Sequence, residues 1–166
     1  MYQRILVPVD GSDTSQRGLD EAIALARLTG GSLRLVHVVD ELSFASGFET
    51  YTAYAGDVVT LLRQAGEQIL ERAKARAAAA GVTAQTQLFE SYGSRLSDLV
   101  ADQARDWRAE LVVIGTHGRR GVGRWLLGSD AEQIVRTSTL PVLLVRALPA
   151  EAGRSAGAPG TAAAAA

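Results

Sequence analysis

Two short stretches carry the residues whose types and spacing could do chemistry. The first is Pro8-Val9-Asp10-Gly11-Ser12, a carboxylate and turn residues directly after an apolar run. The second runs from Gly115 to Ser129. It holds Gly115, Gly118, Gly121, Gly123 and Gly128, together with His117, Arg119, Arg120 and Arg124. Its chemistry is anion binding. Glycine lets a backbone approach a ligand closely and take positive φ, so that successive N–H groups converge on a phosphate. Ser129-Asp130-Ala131-Glu132 fits the S-x-x-E capping box, which predicts Ser129 as the N-cap of a helix. A helix N-terminus with a hydroxyl at its mouth is a ready anion site. A bare solvated loop is the competing reading, but a glycine-rich connection of this length is costly to order unless something binds it.

Other chemistries are poorly served. The chain of 166 residues has no cysteine and two histidines, which excludes disulfides and thiol catalysis and disfavours a His-based zinc site. Seventeen Lys and Arg against 18 Asp and Glu leave a net charge of −1, so nothing draws the chain to nucleic acid or an anionic membrane. No apolar run approaches a membrane span, and the N-terminus lacks a signal-peptide layout. The expected location is cytoplasmic. The phosphate loop G-x-x-x-x-G-K-[ST] is missing, and the single lysine, Lys74, falls in a helical segment. No carboxylate is placed to activate a water, so binding is expected in preference to hydrolysis.

The elements that position these stretches alternate. Arg4–Val9, Leu33–Val39, Val82–Phe89, Glu110–Thr116 and Leu140–Val145 read as strands. A helix is predicted from Thr14 or Ser15 to Gly30, with Leu19, Ala22, Ile23 and Ala26 on one stripe. A second runs from Asp57 to Gly81, with Leu62, Ala65, Ile69 and Ala73 on one face. Ser94 is expected to cap a third, and a short fourth covers Ser129 to Thr137. Near-continuous apolar strands separated by helices imply an α/β, doubly wound sheet of five parallel strands. In such a sheet ligands bind where strand order reverses, at the C-terminal strand ends. Both candidate stretches leave such ends. The domain is expected over residues 1–147; residues 148–166, rich in Ala, Gly and Pro, are expected to be a disordered tail.

Gly115-x2-Gly118-x9-Gly128-Ser129 matches the G-x2-G-x9-G-[S/T] pattern of the universal stress protein family, ATP-binding branch. Ile5–Ser12, Leu35–Val39, Leu111–Gly118 and Pro141–Val145 also resemble family segments, in order. The resemblance implies a Rossmann-like sheet of order 3-2-1-4-5, similar to adenine nucleotide alpha-hydrolases. It implies ATP, with Mg2+, across the first and fourth strands. Pro8, Val9 and Asp10 would then lie on the ribose or adenine side. Val38 would meet adenine through its backbone, and Gly115, Gly118, Arg119, Gly128, Ser129 and Asp130 would surround ribose and phosphates. The carboxylate of Asp130 departs from the small or apolar residue common there. It suits a helix N-terminus and either repels a triphosphate or helps hold Mg2+. The resemblance further implies a stress-response regulator that forms a homodimer through the 140–146 strand and acts on an unidentified regulated protein.

Plainer roles compete. Asp10 before a glycine is a common turn former, and His37 within a strand reads as a packed, hydrogen-bonded residue. His117 stands between a phosphate contact and a solvated loop. Phe44, Phe48, Tyr51 and Tyr54 read as a cover on the sheet end, and Trp107 and Trp125 as packing residues. An ATP-using enzyme of the same architecture, adenylating or slowly hydrolysing, is the alternative, but it would want its glycines after the first strand. A structural dimer module with an empty loop is the third reading.

Overall fold

A computed structural model describes residues 1–39, 55–91, 93–116 and 127–146, with backbone alone at 55–57. In chain order the elements are β1 Arg4–Pro8, α1 Asp13–Thr29, β2 Ser32–Val39, α2 Ala55–Ala79, β3 Ala84–Glu90, α3 Leu96–Asp106, β4 Leu111–Gly115, α4 Ser129–Thr137 and β5 Val142–Val145. The strands form one parallel sheet in the order β3-β2-β1-β4-β5, as expected.

Strand side chains alternate between two faces. Ile5, Val7, Leu33, Leu35 and Val113 pack with Leu19, Ala22, Ile23 and Ala26 of α1 and Ile69, Ala73 and Ala77 of α2. Leu6, Val36, Val112 and Ile114 pack with Val100 and Ala104 of α3 and Ala131 and Ile134 of α4. Both faces of the central strands are therefore dry, which is why β1 and β4 read as unbroken apolar runs. Trp107 packs on the second cluster, and the Arg34 guanidinium sits 4.9 Å from its ring centroid. Burial pulls Arg34 below its ordinary value, with Asp106 acting against it.

Several boundaries move for local reasons. α1 begins at Asp13, because Ser12 is the N-cap and its side chain accepts from Ser15 N–H. The α3 N-cap is Arg95 and not Ser94, with no side-chain cap bond. The buried face of α2 carries Gly66 in place of Ala65, which is exposed. β5 starts at Val142, since Ser138 Oγ closes a turn with Leu140 and Pro141 has no N–H. The expectations for residues 44–54, Trp125 and the tail beyond 147 lie outside the described residues.

Candidate nucleotide site

β1 and β4 lie side by side, while their crossovers lead to opposite halves of the sheet. The ends of these two strands are the topological switch point, where open α/β sheets hold ligands. Pro8 ends β1 and Val9 and Asp10 follow it; Val38 lies in β2, Gly115 ends β4, and Gly128, Ser129 and Asp130 form the start of α4. The fold thus brings the described candidates to the C-terminal end of the sheet. Gly118, Arg119 and His117 lie outside the described residues.

Two helix N-termini reach this end, and they differ. The first is closed by a ring of side chains. Asp10 Oδ1 accepts from Ser12 N–H at 2.9 Å and from Ser12 Oγ at 2.6 Å. Ser12 Oγ accepts from Ser15 N–H at 3.3 Å, and Asp10 N–H donates to Ser15 Oγ at 3.1 Å. Asp10 is therefore at least the turn former its sequence context predicts. At α4 no described side chain closes the start. Its N-cap is Gly128, with no side-chain cap bond. Ser129, expected at the N-cap, is the first helical residue instead, so its hydroxyl lies within the first turn and does not close the helix. Ser129 and Asp130 are exposed. Helical N–H groups of a first turn have no intrahelical partners, and a glycine cap offers them none.

The loop between 116 and 128 is tied at its base. Gly128 N–H donates to Thr116 C=O at 2.8 Å, and Thr116 N–H donates to Val145 C=O at 2.8 Å. Gly128 has φ −60° and ψ 146°, which any residue adopts. Positive φ is therefore not what glycine supplies at this position; its N–H and C=O are taken by Thr116 and Glu132, and what it offers is the lack of a Cβ. Gly115 is buried. A Cβ on it would stand 2.8 Å from Thr14 C and O, so its glycine is required by the approach of α1.

Val9 and Val38 contribute differently. Val9 N–H donates to Val36 C=O at 2.8 Å, and Val9 C=O lies 2.6 Å from His37 Nδ1. Both its backbone groups are thus engaged, and its side chain is buried. Val38 is one rung further out. The β1–β2 register ends at Pro8↔Val36, whereas β2–β3 continues to Val39↔Glu90. Val36 C=O points to β1 and Val39 C=O points to the Ser91 amide beyond β3. By the two-residue repeat, the N–H and C=O of Val38 face the β1 side, past the last β1 rung. A donor and an acceptor side by side suit the edge of a base. His37 is the packed, hydrogen-bonded residue that its place within a strand predicts; its juxtaposition with Gly66, for which the sequence carries no signal, comes from the packing of α2 on β2.

Among the described residues no three His, Asp or Glu side chains gather to hold a metal. Glu132, in the first turn of α4, pairs with Arg136 at 3.4 Å. A Mg2+ here would take most of its oxygens from phosphate and water, as this ion commonly does, with Asp130 as the nearest carboxylate of the helix start. Among the described residues the arrangement fits a nucleotide: a helix start without a side-chain cap for phosphate, and a strand edge beyond the last β1 rung for a base.

Fold and site define a Rossmann-like α/β domain with, at its switch point, a helix N-terminus that no described side chain caps. The chain belongs to the Universal stress protein family, whose model matches residues 1–146. It is 32% identical over 151 residues to Universal stress protein YxiE of Bacillus subtilis, covering 88% of this chain and all of that one. A universal stress protein family structure from Burkholderia pseudomallei superposes with a TM-score of 0.71 at 32% identity, over 88% of this chain and 97% of the other. A universal stress protein in complex with cAMP gives 0.63 at 27% identity, over 87% and 97%. One from Archaeoglobus fulgidus in complex with dAMP gives 0.61 at 25% identity, over 87% and 98%. No helix of the described residues is long and apolar enough to cross a membrane.

Proposed function

We propose that the chain is a cytoplasmic, ATP-binding regulator of the stress response, acting as a homodimer on a partner protein. The observation that carries the reading is the contrast at the C-terminal end of the sheet. The α1 start is closed by Ser12, whereas among the described residues the α4 start, capped by Gly128, has no side-chain cap and is anchored to β4 through Thr116. The cAMP and dAMP complexes of relatives support an adenine nucleotide as the ligand class. ATP is favoured over a monophosphate by the glycine spacing and by the arginines between 119 and 124, which raise the local positive potential. Mg2+ would accompany it, screening the phosphates from Asp130.

The domain is taken as residues 1–147, with the remainder a tail. Regulation is preferred to catalysis because the sequence carries no phosphate-loop lysine beside these glycines. Turnover of ATP above roughly 1 s⁻¹, within the ordinary enzyme range, would overturn that part. The test of the whole reading is mass spectrometry of the protein purified from cells without added nucleotide. Co-purified ATP supports it; an adenylated product would favour the enzyme, and an empty protein the structural module.

A further inference from the structure

The imidazole of His37 is buried, 6% exposed, in a strand that otherwise presents aliphatic side chains to that face. Its Nδ1 lies 2.6 Å from Val9 C=O. A carbonyl only accepts, so Nδ1 carries the proton. That carbonyl is the group which the next rung of a regular parallel ladder would join to Val38 N–H. Among the described residues no such rung is formed, and the β1–β2 register stops at Pro8↔Val36. On the other side the ring meets α2 where it is glycine. A Cβ on Gly66 would fall 2.7 Å from His37 Cδ2 and 2.8 Å from Leu88 Cδ1. Glycine inside a helix is unfavourable, and here it makes room for the imidazole.

We propose that His37 is a positioning residue for base recognition: seated against Gly66, it holds the Val9 carbonyl out of the ladder and so leaves the Val38 backbone edge for adenine. The proposal rests on the nucleotide reading above. Without the imidazole, Val9 C=O would take Val38 N–H, and the strand pair would extend over the edge that the base needs. Phosphate binding at α4 would be untouched. His37 would then govern which base is accepted, through Val38, without touching the ligand.

Two measurements test it. In ligand-free wild type, hydrogen exchange followed by NMR should show the Val38 amide exchanging much faster than that of Val36. In His37→Leu it should become protected. A Val38 amide already as slow as Val36 in wild type overturns the proposal, and needs no variant. Calorimetry with ATP and ITP reads the consequence, since the two differ at the base edge alone. Wild type should prefer ATP. His37→Leu should lower that preference about fivefold or more, the worth of a hydrogen bond. His37→Asn, whose amide N–H can replace Nδ1–H, should keep it within about twofold. A preference unchanged in His37→Leu, with ATP bound as in wild type, overturns the inference. A wild type that binds neither nucleotide sinks the nucleotide reading and base recognition with it; a fast Val38 amide would still show that the rung is withheld.

Discussion

Gly128 N–H donates to Thr116 C=O at 2.8 Å, joining the start of α4 to the end of β4 across the glycine-rich loop. Thr116 is in turn bonded to Val145 of β5. The helix N-terminus is thereby fixed to the sheet, whatever path the intervening chain takes. Gly118→Val and Gly128→Val should block backbone approach and abolish ATP binding. The melting temperature of Gly128→Val should stay near wild type, because its dihedrals admit a side chain. If calorimetry finds ATP bound as before by both variants, the phosphate site lies elsewhere.

Ser129 stands inside the first turn with its hydroxyl exposed. Ser129→Ala should cost one hydrogen bond to phosphate, about 1 kcal/mol or near fivefold in affinity. Stability should hardly move, since Ser129 does not cap the helix. A clear drop in unfolding free energy with unchanged affinity would contradict this.

Asp130 places a carboxylate within the same turn. Asp130→Ala should bind ATP more readily without Mg2+ than wild type does. Titrations with and without the ion decide it, and equal Mg2+ dependence in both proteins would leave Asp130 only its favourable place at the helix dipole.

Gly66 gives a prediction of sign. On an open helix Gly→Ala gains about 1 kcal/mol. Here the new methyl meets His37 and Leu88, and overpacking costs about 1–3 kcal/mol. Gly66→Ala should therefore destabilise the wild type, yet be neutral or stabilising when added to His37→Ala. Urea unfolding of the four proteins closes the cycle; additive effects would mean that the ring and the glycine are not coupled.

The proposed dimer needs the free edge of β5. Pro141 C=O and Val145 C=O point to β4, so by alternation the N–H groups of Val142 and Leu144 point outward. The side chains of these two residues pack on the α3–α4 cluster, while Leu143 is 36% exposed on the other face. Charging Val142 and Leu144 would therefore strike the core as well as the edge. Leu144→Pro removes an outward N–H and keeps the β4 rungs, as edge proline can. Light scattering should report a monomer of 17.5 kDa; a surviving dimer mass would move the interface away from β5.

Most elements are legible because apolar runs and helical stripes set the layers independently of detail; the strand order, which these do not specify, follows from the family resemblance. The cap positions are not legible. A hydroxyl one or three residues from a helix start suits several registers, and Asp10 decided for Ser12 by bonding it. At α4 the S-x-x-E pattern was misleading, because Gly128 takes the extended cap conformation itself. The α2 face holds at Ile69 and Ala73 but carries Gly66 where Ala65 is expected, since a glycine does not register as apolar; Gly66 sits where the helix packs against His37. The candidate residues come from a motif and a resemblance, but what Val9 and Val38 can offer depends on where a ladder stops. That is a property of two strands together, and neither strand's sequence carries it.

Gly18 and Gly115 let α1 and β4 meet backbone to backbone; a Cβ on Gly18 would lie 3.3 Å from Gly115 N. Such a joint has no rotamers to exchange and no cushion to compress. It behaves as a rivet: the mouth of the cleft and the first turns of α1 translate together or stay still. If the proposed site opens on binding, the hinge is expected outside this joint, with α1 moving as a whole helix and not by side-chain repacking.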